Sequence, residues 1–331
     1  MDAEITDPVI ATSPPPEAET RPPTPTSAYA VPTPDPEDLR PARPAAPAVS
    51  AVTQASCGCS SAASPGATEV EADPALGYVY VLGRVHAVFP DLSVQHEFFQ
   101  AAGAGGRTDS SDAEAMYRVL SAPENRYIAR QMCFVLSVQD VATYILKPAD
   151  PTELDELVEA LRPVRDHRDL AVVVGRLGPV VPPGACQGLS VPEVSVLKVW
   201  AFDRKELIGA IERPEDVSKK EFGRGATETL DRMLQLSDNA GTLPTARAVN
   251  FLTVRSQEIY QTSHRKREAG YILSGVEAGP SRLSTRSQTV VTVVFSYTHR
   301  QTNVVEKCFA RVGVTGPFPY LVTAFQSYCN R

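Results

Sequence analysis

The residues able to do chemistry are few and scattered. Cysteine occurs as the pair Cys57-Gly-Cys59 and singly at Cys133, Cys186, Cys308 and Cys329. A closed zinc site needs paired ligands at spacings such as C-x2-C, and the chain has none. Cys57-Gly-Cys59 could ligate a soft metal or form a redox pair, but a Ser/Ala/Gly setting favours an inert reading. Cys133 and Cys308 lie in apolar runs and are expected to pack as small hydrophobes. Cys186 falls in Pro182-Pro-Gly-Ala-Cys-Gln-Gly188, which reads as a loop where a thiol can be exposed. It is the first nucleophile to consider.

The histidines are His86, His96, His167, His264 and His299, none in a recognised catalytic setting. G-x-S-x-G, P-loop, H-E-x-x-H and G-x-G-x-x-G motifs are absent. Gly103-Ala-Gly-Gly106 has no phosphate-binding lysine and reads as a loop. One cationic run stands out, His264-Arg-Lys-Arg267, at the end of a predicted helix. Complementing the helix dipole is a sufficient structural reason for it. The sequence therefore assigns no catalytic, cofactor-binding or metal-ligating residue.

The elements around these residues divide the chain in three. Residues 1–74 hold 15 of the 29 prolines and three basic against eleven acidic residues, a net charge of −8. With so little apolar surface the segment is expected to be disordered, with stretches of polyproline II. Residues 75–331 carry only +1, so neither a nucleic-acid partner nor a membrane surface is expected. The longest apolar runs are far below the roughly 20 residues that span a bilayer. Asp2 and Glu4 stand where an export signal would be basic. The chain is thus read as cytoplasmic, its cysteines reduced.

Residues 75–214 form the first expected domain. A β-branched and aromatic run at 77–89 predicts a strand, and Asp91 an N-cap for a helix to Gln100. Helices are expected over 112–120 and 124–134, and a strand over 140–146. Asp150-Pro-Thr-Glu153 and Asp203-Arg-Lys-Glu206 are capping boxes, the clearest local signals present. Strands at 170–174 and 194–202 lie between them.

Residues 215–331 form the second. A charged connector is expected over 215–224, with helices at 227–236 and, as one long element, 245–267. Alternating or apolar runs at 271–276, 288–297, 303–314 and 319–326 suggest an antiparallel sheet. The run Thr289-Val-Val-Thr-Val-Val-Phe295 is apolar or β-branched on both faces. Val290, Val291, Val293, Val294 and Phe295 are therefore expected to be buried, one face by the long helix and the other by an interface. The fold class is α+β: two small α/β-type domains, the second with helices on an antiparallel sheet.

Several blocks resemble the C-terminal, non-protease region of PatG-type cyanobactin maturation proteases. They are Cys57-Gly-Cys59 with 75–84, then 125–132, 142–148, 153–161, 245–250 and 309–319, which together place the likeness over roughly residues 75–331. In that family the region follows a subtilisin-like domain, whose Asp, His-Gly and Gly-Thr-Ser motifs are missing here. No catalytic residue carries over. The resemblance implies an accessory or precursor-binding protein of a ribosomally synthesised, post-translationally modified peptide pathway. Its partner would be a precursor peptide or a modifying enzyme, and a homodimer is possible. An enzyme with a scattered Cys/His site, or an oligomerisation module, are the alternatives.

Overall fold

In the computed structural model, residues 77–103, 113–163, 170–215 and 217–328 are described. Residues 1–74, and with them Cys57, Cys59 and the proline-rich segment, lie outside this set, as do His167 and Cys329. The architecture is mixed α+β with two sheets.

The first sheet begins with β1 (Tyr78–Val88) and uses β2 (Cys133–Val138), β3 (Val141–Pro148), β4 (Leu170–Val180) and β5 (Pro192–Phe202). They close into a barrel in the order β1-β2-β3-β5-β4, with β3 and β5 parallel and the other ladders antiparallel. β1 serves two neighbours: its first half pairs with β4 and its second with β2. The crossover lies at Gly83, where a Cβ would come 2.4 Å from the Ser137 carbonyl oxygen, so only glycine lets the backbones approach.

Strand alternation sorts the side chains. Val79, Val81, Phe134, Leu136, Leu146, Val173 and Val196 fill the interior. Helix α1 (Leu92–Ala102) is capped by Asp91, whose carboxylate accepts from Ser93 N and Val94 N. With α2 (Ala113–Leu120) it adds Phe98 and Val119 to the same core. Helix α4 (Pro151–Glu159) starts at the Asp150 box and contributes Leu154, Leu157 and Val158. The stretch expected to be helical over 124–134 is a 3-10 turn at Pro123–Asn125 and one short helix, α3 (Arg126–Ala129). Cys133 and Phe134 belong to β2. Gln139 and Asp140 turn β2 into β3 with φ of 50° and 64°, a primed turn that matches strand twist.

The helical layer is longer than expected. Past α5 (Arg204–Gly209), which the Asp203 cap starts, α6 spans Lys219–Leu236 and absorbs most of the supposed connector. Ser218 caps it by accepting from Glu221 N, the Ser-x-x-Glu box in the sequence. The single long helix is two, α7 (Pro244–Arg255) and α8 (Gln257–Glu268), separated by Ser256 at φ −97°, ψ 101°.

The second sheet is the expected meander, β6 (Tyr271–Pro280), β7 (Val290–His299), β8 (Val305–Gly313) and β9 (Tyr320–Ser327), in that order. Val291, Val293, Phe295 and Tyr297 of β7 join Cys308, Ala310 and Val312 of β8 in a core with Ala248, Leu252 and Ile259 of the helices. Val290 is buried as expected, but Val294 is only half-buried. Thr292, Val294 and Thr298 share the other face, which the described residues leave partly open, so β-branching there reflects strand preference rather than burial on both sides.

Barrel and helices share a buried junction within the unit Thr68–Arg331. Outward-facing Tyr80, Leu82, Val172 and Val174 pack against Trp200, Leu234, Phe251 and Val254. Residues 239–241 lie along β1: Tyr80 N donates to Gly241 O and Leu82 N to Asn239 O, both at 3.1 Å. Asn250, fully buried on α7, donates from Nδ2 to Tyr80 O (2.9 Å) and to Asn239 O (3.1 Å). Gly241 has φ +65°, and its absent Cβ would lie 2.0 Å from Tyr80 O.

Candidate functional site

The residues singled out in the sequence do not converge. Cys186 is in a loop, as expected, but it is 2% exposed and disulfide-bonded to Cys133, with Cα atoms 6.1 Å apart. It is not an exposed thiol, and the expectation of reduced cysteines fails at this pair: strand β2 and the 181–191 loop pack face to face. Cys308 points into the second core, where burial pushes its thiol pKa up and away from thiolate chemistry. Desolvation by its surroundings lowers the pKa of His86 on β1, although its side chain is exposed, and His96 is exposed on α1. His299 caps its own turn, Nδ1 accepting from Gln301 N and Thr302 N, and stacks edge-on against Tyr271 at 4.9 Å.

The cationic run at the end of α8 is bound into its surroundings. Arg265 donates to Thr262 Oγ1 (2.9 Å), Lys266 pairs with Glu306, and Arg267 lies 3.5 Å from Glu228. The bond from Lys266, and after it the one from the Tyr271 hydroxyl, holds the Glu306 carboxyl below its usual range. His264 is inside, its ring edge-on to Phe222 at 5.4 Å. Among the described residues no group of three or more His, Cys, Asp or Glu is placed to hold a metal ion.

The concave site is elsewhere, between α5, the 210–218 linker and α6. Its cavity is about 520 Å³, within the roughly 300–1,000 Å³ of small-ligand and peptide side-chain sites. Ile208, Ile211 and Phe222 form an apolar floor, continuous with a core of Val217, Ala226, Leu230 and Tyr260. Among the described residues, Arg204, Lys205, Arg213 and Lys219 line it and no carboxylate does.

Each cation is positioned by local structure. Asp203 caps α5 (Lys205 N to Oδ1, 2.6 Å), which fixes Arg204 and Lys205 in its first turn. Arg204 is buried against Asp231 of α6, and this pair ties the two helices. Arg213 donates to the Val217 carbonyl and so folds the linker back on itself. Lys219 opens α6 next to its cap, Ser218. Lys205, Arg213 and Lys219 are exposed and, among the described residues, have no carboxylate partner, so their charge is available to a ligand. An apolar floor under such a rim fits an amphipathic anion, the floor supplying affinity and the rim register and on-rate.

The sequence reading missed these residues because they come from three segments. The available signal was the alternation of Arg204-Lys205, Arg213 and Lys219-Lys220 with Ile208, Ile211 and Phe222.

Two family models match the chain. Residues 78–182 match the one described as PatG Domain, and residues 216–328 the one described as PatG C-terminal. A solved structure titled "PatG Domain of Unknown Function" superposes with a TM-score of 0.61 at 20% identity, over 76% of this chain and 98% of that one. At that identity the likeness speaks for the fold. No curated protein matches.

Proposed function

We propose that this PatG C-terminal-like chain, with regions similar to the PatG Domain and to PatG C-terminal in tandem, is an accessory protein of a cyanobactin-type ribosomal-peptide pathway. In this reading it is non-catalytic and binds an acidic, amphipathic segment of the precursor peptide. One observation carries the binding role: the apolar cavity between α5 and α6, lined among the described residues by four cations and no acid. Apolar side chains of one peptide face enter over Ile208 and Phe222, while its carboxylates meet Lys205, Arg213 and Lys219. The rival built on a Cys186 nucleophile loses that thiol to the disulfide.

Titration of fluorescein-labelled cyanobactin-type precursor peptides into the full chain, read by anisotropy, tests the reading. Saturable binding that weakens as salt rises supports it. Turnover of the peptide by the protein alone, or no binding at low salt, contradicts it.

A second reading has an observation of its own. Strand β9 is a sheet edge, has no charged residue over 318–328, and exposes Tyr320, Leu321 and Val322. Such an edge is a pairing surface, which favours an oligomerisation role, and sedimentation of Val322→Lys against the parent chain tests it.

A further inference from the structure

The barrel carries a second place where a ligand fits, and the chain fills it itself. Its strand order, with the helix α4 between β3 and β4, is the five-stranded Greek-key closure of OB folds. Those barrels bind ligands across strands 2 and 3 and the loops 1–2 and 4–5. Here the outer face of β2 and β3 presents Cys133, Val135, Ala142 and Ile145, with Val88 of β1 beside them. The 4–5 loop, residues 181–191, lies on that face and inserts Val181, Leu189 and Val191 beside the buried Cys186.

The way the loop is held matters. Its backbone hydrogen bonds are internal: Val181 N to Val191 O (3.0 Å), Ala185 N to Pro182 O (3.0 Å), Gly188 N to Pro183 O (2.7 Å) and Leu189 N to Cys186 O (2.9 Å). Ser190 Oγ also donates within the loop, to Val181 O. No hydrogen-bond ladder ties it to β2 or β3 among the described residues. The disulfide and a few apolar contacts do so. Its outer surface, from Pro182 to Ala185 with Gln187 and Gly188, is exposed.

We infer that the outer face of β2 and β3 is a binding site for an extended, uncharged peptide segment with aliphatic side chains, closed in the oxidised chain by its own 181–191 loop. The occupant seen is such a segment, with no charged residue between 177 and 192. Opening requires a dithiol. Its thiolate attacks one sulfur of the Cys133–Cys186 bond, and its second thiol then displaces the mixed disulfide. The products are two cysteine thiols and one oxidised dithiol, a two-electron, two-proton exchange. The proposal is independent of the cavity between α5 and α6.

The test uses two full-length proteins. The first is the parent chain, oxidised or treated with dithiothreitol. In the second, residues 182–190 are replaced by Asn-Gly, which joins Val181 to Val191 where they already bond. The probe is a fluorescein-labelled copy of residues 179–192 with serine at 186. Hydrogen exchange of 181–191 should rise at least tenfold on reduction while β1 and β4 stay protected. The probe should bind the excised chain in the micromolar range and the oxidised parent at least 30-fold more weakly. Unchanged exchange on reduction, or no probe binding to an excised chain that melts cooperatively, overturns the inference. So does an excised chain that prefers a labelled dT12 oligonucleotide to the peptide. Should the excised chain fail to fold, Cys186→Ser gives the exchange measurement without reductant.

Discussion

Replacing Asn250 by alanine should uncouple the barrel from the helices above it. The side chain is fully buried and its Nδ2 satisfies two carbonyls, Tyr80 O on β1 and Asn239 O in the segment beside it. Leaving a buried acceptor short costs about 1–3 kcal/mol. Asn239 O keeps a second donor in Leu82 N, which puts its loss at the low end. Asn250 Oδ1 has no partner, so removing it recovers part of the penalty. The sum is about 2–3 kcal/mol for Asn250→Ala. Asn250→Asp should cost more, at least ~4 kcal/mol, because it aims an unpaired carboxylate at two carbonyl oxygens. Trp200 is the sole tryptophan, edge-on to Tyr80 at 6.3 Å and under the Arg255 guanidinium at 5.3 Å. Its fluorescence in a urea titration therefore reports the junction directly. A loss below ~0.5 kcal/mol for alanine, or aspartate milder than alanine, would refute the reasoning.

Other perturbations have equally definite outcomes. Burial pushes the Tyr80 hydroxyl up to about 12 against the opposing pull of Arg255, so it stays neutral in the fold while the unfolded tyrosine ionises near 10. Its contribution is complete below pH 10 and is lost as pH rises toward 12, and Tyr80→Phe should flatten that limb of the stability–pH curve. Reducing Cys133–Cys186 opens a cross-link over 53 residues and should lower stability by ~4 kcal/mol in the chain-entropy account, read as a lower urea midpoint with dithiothreitol. Val291→Lys with Val293→Lys should abolish folding, since both side chains are buried in the second core; Thr292→Lys with Val294→Lys should cost no more than about 1 kcal/mol. Circular-dichroism melts distinguish the two pairs, and equal losses would contradict the one-sided burial of β7 between Val291 and Phe295.

What could be read from the sequence was local chemistry. The Asp91, Asp150 and Asp203 caps act within three residues, so their helices start where expected. The meander β6 to β9 was legible because successive strands pair with their neighbours. Closure of the barrel was not, because β1 with β4 and β3 with β5 are long-range pairings that periodicity does not encode. The 2-3 hairpin was hidden by a Gln139-Asp140 turn lacking the usual Asn-Gly. The break at Ser256 has neither Gly nor Pro to announce it. Ser218-Lys-Lys-Glu221 was a visible start for α6, masked by the charges around it. The cavity and the disulfide each join distant segments, and Cys186 was rightly placed in a loop but not against its partner.

Charge reversal at the cavity rim tests the central claim most directly. Lys205→Glu and Lys219→Glu alter exposed side chains with no bonded partner among the described residues, so the double variant should keep the parent melting temperature. Anisotropy with a labelled precursor peptide should show affinity at least tenfold weaker in the variant at low salt, the gap narrowing as salt screens the rim. Equal affinity of both proteins for the peptide, at every salt concentration, would contradict a binding role for this cavity.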